Sequence, residues 1–143
     1  MTDTPPSFDP GDRNSYRAWT AIPIRFGDQD VVGHVNNVAI AGYFENARCM
    51  HLIPALKHSE PKLTTVLARI VIDYRAELHF PGSVDVGIRV TARGNKSFVI
   101  TGAIFDGDAC CATSEATMVF FDPRTRRSAV PPPDAWQRLS NLL

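Results

Sequence analysis

The feature that most constrains the fold of this 143-residue chain is a change of hydrophobic period partway along it. Between Asn37 and Ile53, the residues Ile40, Tyr43, Phe44, Ala47 and Met50 recur at spacings of three and four, one apolar stripe of a helix. Beyond Pro61 the spacing drops to two. Val66, Ala68, Ile70, Ile72, Tyr74, Ala76 and Leu78 alternate with Thr65, Arg69, Asp73, Arg75 and Glu77, the pattern of a long half-buried strand. Pro81-Gly82, Gly94-Asn95 and Asp106-Gly107 then punctuate further strand-like runs at Val84 to Arg93, Lys96 to Phe105 and Cys110 to Phe121. A shorter run from Trp19 to Phe26 precedes the helix, and its Pro23, with no N–H for a ladder, predicts an edge or irregular position. This order predicts an α+β layer arrangement, a five-stranded antiparallel sheet with the helix on one face. A single helix leaves sheet uncovered, so at least a homodimer is expected to hide the remainder.

Local signals set the boundaries. Asn36 is the expected N-cap of the helix and Pro54 its expected end. Gly42 inside the helix costs about 1 kcal/mol relative to alanine, which predicts that something packs against its missing side chain, such as a sheet wrapped on the helix. Residues 1–16 carry Pro5, Pro6, Pro10 and Gly11 among Asp, Ser and Thr, and read as a loose arm before a single domain at 17–143. Pro131 to Pro133 lead into a short helix at Asp134 to Leu142.

Lys plus Arg (15) balances Asp plus Glu (15), so no whole-molecule field draws nucleic acid or an anionic membrane surface, and neither is an expected partner. No apolar run reaches the roughly 18 residues of a membrane span, and no basic segment followed by an apolar one opens the chain. Cys49, Cys110 and Cys111 are odd in number, and the last two are strand neighbours whose side chains point to opposite faces. They read as reduced, small hydrophobes, and a cytoplasmic location is expected.

Reactive groups are densest between the first strand and the helix, in Arg25-Phe26-Gly27-Asp28-Gln29-Asp30-Val31-Val32-Gly33-His34-Val35-Asn36-Asn37. This run ends at a helix N-terminus, where free N–H groups and the positive end of the helix dipole can hold an oxyanion formed when a carbonyl is attacked. A nearby carboxylate, ionised at neutral pH, completes a simple hydrolytic site. A thiol leaves far more readily than an alkoxide or amine, so a thioester demands no strong general acid.

Phe26, Asp28, Asp30, Gly33, His34, Val35, Asn36 and Asn37 follow in order the pattern aromatic-x-Asp-x-Asp-x-x-Gly-His-Val-Asn-Asn. In this run the chain resembles the 4-hydroxybenzoyl-CoA thioesterase family of hotdog proteins. The resemblance continues through Tyr43-Phe44-Glu45, Ala47-Arg48, Phe80-Pro81-Gly82 and Gly94-Asn95-Lys96-Ser97-Phe98, covering roughly residues 19–122. It implies a hotdog fold, a long central helix wrapped by a five-stranded antiparallel sheet, assembled as a homodimer or homotetramer. It also implies an acyl-CoA thioesterase that hydrolyses an acyl-CoA or acyl carrier protein thioester without cofactor or metal.

By the same resemblance Asp30 is the catalytic carboxylate, as nucleophile or as base for water, and the backbone N–H of Asn37 is the oxyanion donor. His34 and Asn36 are expected to orient the loop or a water, Asp28 to brace the turn, and Arg93, Lys96 and Ser97 to meet CoA phosphates. Arg124, Arg126 and Arg127 form a second basic cluster, and Glu45 is a reserve carboxylate. One departure is Ile40, where relatives commonly carry an aromatic residue, and its smaller side chain implies a different acyl pocket.

Two other functions compete. A hotdog module can bind acyl-CoA without turning it over, but Asp30 has no purpose in a pure binder. His79-Phe80-Pro81-Gly82 is similar to a dehydratase motif, but follows the helix instead of preceding it and reads as a turn. Asp28, Asp30 and His34 invite a metal reading, yet His51, His58 and His79 show no ligand spacing with them.

Overall fold

In a computed structural model, which describes residues 8–143, the first strand-like run forms β1 (Ala18–Ile24) and the helical stripe forms α1 (Asn37–Leu56). Four strands follow, β2 (Thr64–Tyr74), β3 (Gly82–Arg93), β4 (Ser97–Asp106) and β5 (Ala109–Asp122). A two-residue β6 (Arg127–Ser128) folds back on the end of β5, and α2 (Pro133–Arg138) with a 3-10 turn at Ser140–Leu142 closes the chain. The long strands pair antiparallel in the order β1-β3-β4-β5-β2, and α1 packs on one face of the curled sheet. This is the hotdog arrangement. Pro23 lies on β1, which is an edge. No described helix is long and apolar enough to cross a membrane.

Alternation in β3 and β4 builds the core. Val84, Val86, Ile88 and Val90 project to the helix side with Phe98, Ile100 and Ile104, each at most 6% exposed. Phe44 is 1% exposed on α1, burial that contributes about 2–3 kcal/mol. A side chain at Gly102 of β4 would put its Cβ 3.2 Å from Phe44 Cδ1, so here the helix seats directly on the sheet. The close approach expected at Gly42 is absent from the protomer: a Cβ there meets nothing within 4 Å.

Three further expectations are corrected. The helix passes Pro54 and ends at Leu56. Proline removes one hydrogen bond, to the carbonyl of exposed Met50, which water can satisfy, while the burial of Leu56 favours the extra turn. Met50 is 59% exposed and Leu52 takes its place in the core, because Phe44, Arg48, Leu52 and Leu56 form one row at intervals of four. In β2 a bulge at Ala68 shifts the register. Thr65 and Leu67, opposite Phe120 and Met118, therefore share the helix-side face with Ile70 and Ile72, which the uninterrupted alternation put on opposite sides.

The loose arm is also corrected over residues 8–16; residues 1–7 of that expectation lie outside the described chain. Tyr16 is 5% exposed, edge-on to Phe8, Trp19 and Phe105 with ring centroids 5.9, 6.0 and 6.2 Å away, and its hydroxyl donates to the Pro10 carbonyl at 2.6 Å. The segment covers the sheet face away from α1. Gly87 of β3 makes room for it, since a Cβ there would lie 2.9 Å from Tyr16 Cβ and Cγ. Cys110 packs into this second apolar cluster while Cys111 lies in the main core, and all three thiols are free.

Candidate active site

The two aspartates of the loop after β1 have opposite environments. Asp28 is 3% exposed. Its Oδ2 accepts from the Arg25 backbone N–H at 2.9 Å and from the Tyr43 hydroxyl at 2.6 Å, and its Oδ1 takes the Arg25 guanidinium at 2.9 and 3.2 Å. Burial pushes this carboxyl up, but the Tyr43 hydroxyl and both Arg25 donors outweigh it and hold Asp28 below the usual carboxylate range. The Tyr43 phenol is pushed up, first by burial and then by Asp28. The Asp28 carbonyl accepts from Asn36 N–H at 2.9 Å, so this residue ties β1, α1 and the helix start together.

Asp30 is exposed. Its Oδ1 accepts from the N–H groups of Val32 (2.9 Å) and His34 (3.3 Å), while Oδ2 has no protein donor among the described residues. The backbone closes the same turn, Asp30 N–H donating to His34 O at 2.8 Å and Gly33 N–H to Asp30 O at 3.1 Å. Gly33 adopts φ +89°, open to glycine and strained for other residues. Val35 N–H then donates to Leu78 O at 2.8 Å, fastening the loop to the segment between β2 and β3.

At the start of α1, Asn36 Oδ1 accepts from Ala39 N–H at 2.8 Å, the expected cap. The N–H groups of Asn37 and Val38 have no acceptor among the described residues and sit at the positive end of a 20-residue helix. Asp30, His34, Asn37 and Ile40 line one wall of an open cleft of about 340 Å³, and Tyr74 to Leu78 line the other. Ile40, 5% exposed, joins this cleft to the core. A carboxylate with one oxygen held and the other without a protein donor among the described residues thus shares a cleft with Asn37, whose helical N–H is unpaired among them. That pairing can direct an attack on a carbonyl and receive the resulting negative charge.

The structure brings Asp30, His34 and Asn37 together with Asn36 beside them, but not Arg93, Lys96 and Ser97. Ile24 pairs with Gly82 near the cleft, whereas Arg93 is eleven residues further along β3, about 36 Å along the strand. There the Arg93 guanidinium lies 4.0 Å over the Trp136 ring, and Ser97 O accepts from Gly94 N–H at 2.7 Å. Glu45 is exposed and forms no ion pair with buried Arg48 among the described residues. Two neighbours escaped the sequence reading. Glu77 Oε2 lies 3.3 Å from His34 Nε2 and 3.4 Å from His79 Nε2, and the imidazoles meet edge to face at 5.1 Å. Spacing hid them, because 45 positions separate the histidines and tertiary contacts such as the Val35–Leu78 pairing join the segments.

Residues 24–139 match the model of a family described as the thioesterase-like superfamily. An uncharacterized protein, YsmA, of Bacillus subtilis (strain 168) is 28% identical over 101 residues, 68% of this chain and 69% of that protein. Among solved structures, the PA5185 protein of Pseudomonas aeruginosa strain PAO1 superposes with a TM-score of 0.82 at 28% identity, covering 91% of this chain and 94% of that one. A predicted thioesterase from Bacillus stearothermophilus gives 0.80 at 26%, covering 88% and 96%. A thioesterase from Thermus thermophilus, complexed with coenzyme A and Zn, gives 0.77 at 25%, covering 87% and 98%.

Proposed function

The chain belongs to the thioesterase-like superfamily, and from that membership we propose that it hydrolyses an acyl-CoA, or an acyl carrier protein thioester, to a free acid and a thiol. Asp30 acts as nucleophile or as base for water, and the Asn37 N–H receives the oxyanion. The observation that carries this reading is the shared cleft: Asp30 and Asn37 line the same space, and Asp30 Oδ2 and the Asn37 N–H have no protein partners among the described residues. Coenzyme A in the Thermus neighbour supports a CoA thioester over other thioesters. The free thiols of Cys49, Cys110 and Cys111 suit a reducing, cytoplasmic setting. The test is thiol release from a panel of aromatic, short, medium and long acyl-CoAs. At least one is expected to turn over; tight binding without release from any of them would replace the hydrolase by a non-catalytic acyl-CoA module.

The functional unit is a homodimer or homotetramer. β2 is a sheet edge eleven residues long that exposes Val66 (40%), Leu67 (44%), Val71 (36%) and Tyr74 (52%), an unpaired ladder with an apolar surface. Tyr74 also borders the cleft, so a copy docked on this edge completes the cleft wall. Arg93, Lys96 and Ser97 reach CoA in such a site only from the second protomer. Light scattering is expected to return twice or four times 15.8 kDa, and a monomer mass would remove these three residues from the site.

A further inference from the structure

We infer that His34, Glu77 and His79 form a three-ligand site for a zinc-type divalent cation at the lip of the Asp30 cleft. The inference goes beyond thioester hydrolysis and does not depend on it. The donor set is two imidazole nitrogens and one carboxylate oxygen, ligands that suit zinc. All three donor atoms lie within 4.8 Å of one another.

Two of the donor separations fit a metal cradle. Zinc–nitrogen and zinc–oxygen bonds of about 2.0–2.2 Å arranged tetrahedrally place neighbouring donors about 3.3–3.5 Å apart. The observed separations are 3.3 Å from His34 Nε2 to Glu77 Oε2 and 3.4 Å from His79 Nε2 to the same oxygen. Both exceed the usual N–H···O hydrogen bond of about 2.7–3.2 Å.

The frame is built before any ion arrives. Val35 N–H donates to Leu78 O at 2.8 Å between the ligand positions, and Asp30 N–H to His34 O at 2.8 Å fixes the loop carrying the first ligand. Side-chain exposures of 33% (His34), 63% (Glu77) and 58% (His79) leave the fourth coordination position to water. An ion here ties the Asp30 loop to the segment between β2 and β3. Because the His34 N–H lies 3.3 Å from Asp30 Oδ1, fixing His34 also restrains the Asp30 carboxylate.

The test uses the full chain, stripped by a chelator and carrying Cys49→Ser to remove the exposed thiol. Zinc is titrated calorimetrically, and cobalt(II) is added to read four-coordinate geometry from its visible absorption. One equivalent per protomer is expected. Loss of an outer-shell partner alone weakens metal binding about 10–100-fold, so His34→Ala, Glu77→Gln and His79→Ala are each expected to weaken it by more than about 100-fold. These side chains are exposed enough that the metal-free variants should keep the parent unfolding temperature. No zinc binding at micromolar concentration, or binding equal in parent and variants, overturns the site and leaves Glu77 as an acceptor shared by two histidines.

Discussion

Asp30→Asn is expected to lower kcat for thiol release by about 10³-fold, near 4 kcal/mol, with little change in KM or thermal stability. Asparagine keeps an oxygen where Oδ1 accepts from the Val32 and His34 N–H groups, so the turn survives. What disappears is negative charge on the second oxygen, which attack on the thioester and activation of water both require. Steady-state kinetics on the best substrate of the acyl-CoA panel, beside a melting curve, checks this. Equal rates for parent and variant would reject Asp30 and direct attention to Glu45, the exposed carboxylate two turns along α1.

Asp28→Ala is expected to act on stability instead, lowering it by about 3 kcal/mol and the unfolding temperature by about 10 °C. The substitution strands the buried Tyr43 hydroxyl and the Arg25 backbone N–H, which share Asp28 Oδ2. The exposed guanidinium of Arg25 returns to water at little cost. A pH signature accompanies the loss. The folded-state value of Asp28 lies below the usual carboxylate range, so its ionised form stabilises the fold fully above the unfolded value of about 3.9. That contribution fades as pH falls through the lower folded value. Unfolding curves collected down the acid range should therefore be less steep in pH for Asp28→Asn than for the parent, and parallel acid profiles would show that Asp28 does not carry this linkage.

The two substitutions separate residues that share one motif. Both aspartates lie in the same Asp-x-Asp run, and the resemblance to hotdog thioesterases already assigns bracing to the first and chemistry to the second. The structure supplies the physical difference: Tyr43, one helical turn past the first residues of α1, reaches back to Asp28, while Asp30 is exposed. The helix cap at Asn36 and the turns at Pro81-Gly82 and Gly94-Asn95 were legible because each is decided by a few adjacent residues.

Other features depended on contacts remote in sequence. Tyr16 is held by Phe105 and by the space at Gly87, so the composition of its own segment could not reveal that it packs. The bulge at Ala68 follows from pairing with β5, and it changes which β2 side chains face the helix without any break in the hydrophobic pattern. Arg93 and Lys96 look like phosphate ligands by type, but the length of β3 carries them away from the cleft.

The sequence by itself determined the order of elements, the α+β class, the helix start and the loop that carries Asp30, since hydrophobic period, capping and turn chemistry all act over a few residues. Only the tertiary structure decided that Leu52 replaces Met50 in the core, that the cleft wall comes from Tyr74 to Leu78, and that His34 meets Glu77 and His79. The last two outcomes rest on the backbone bond from Val35 to Leu78, which joins segments more than forty residues apart and leaves no periodic trace in either one.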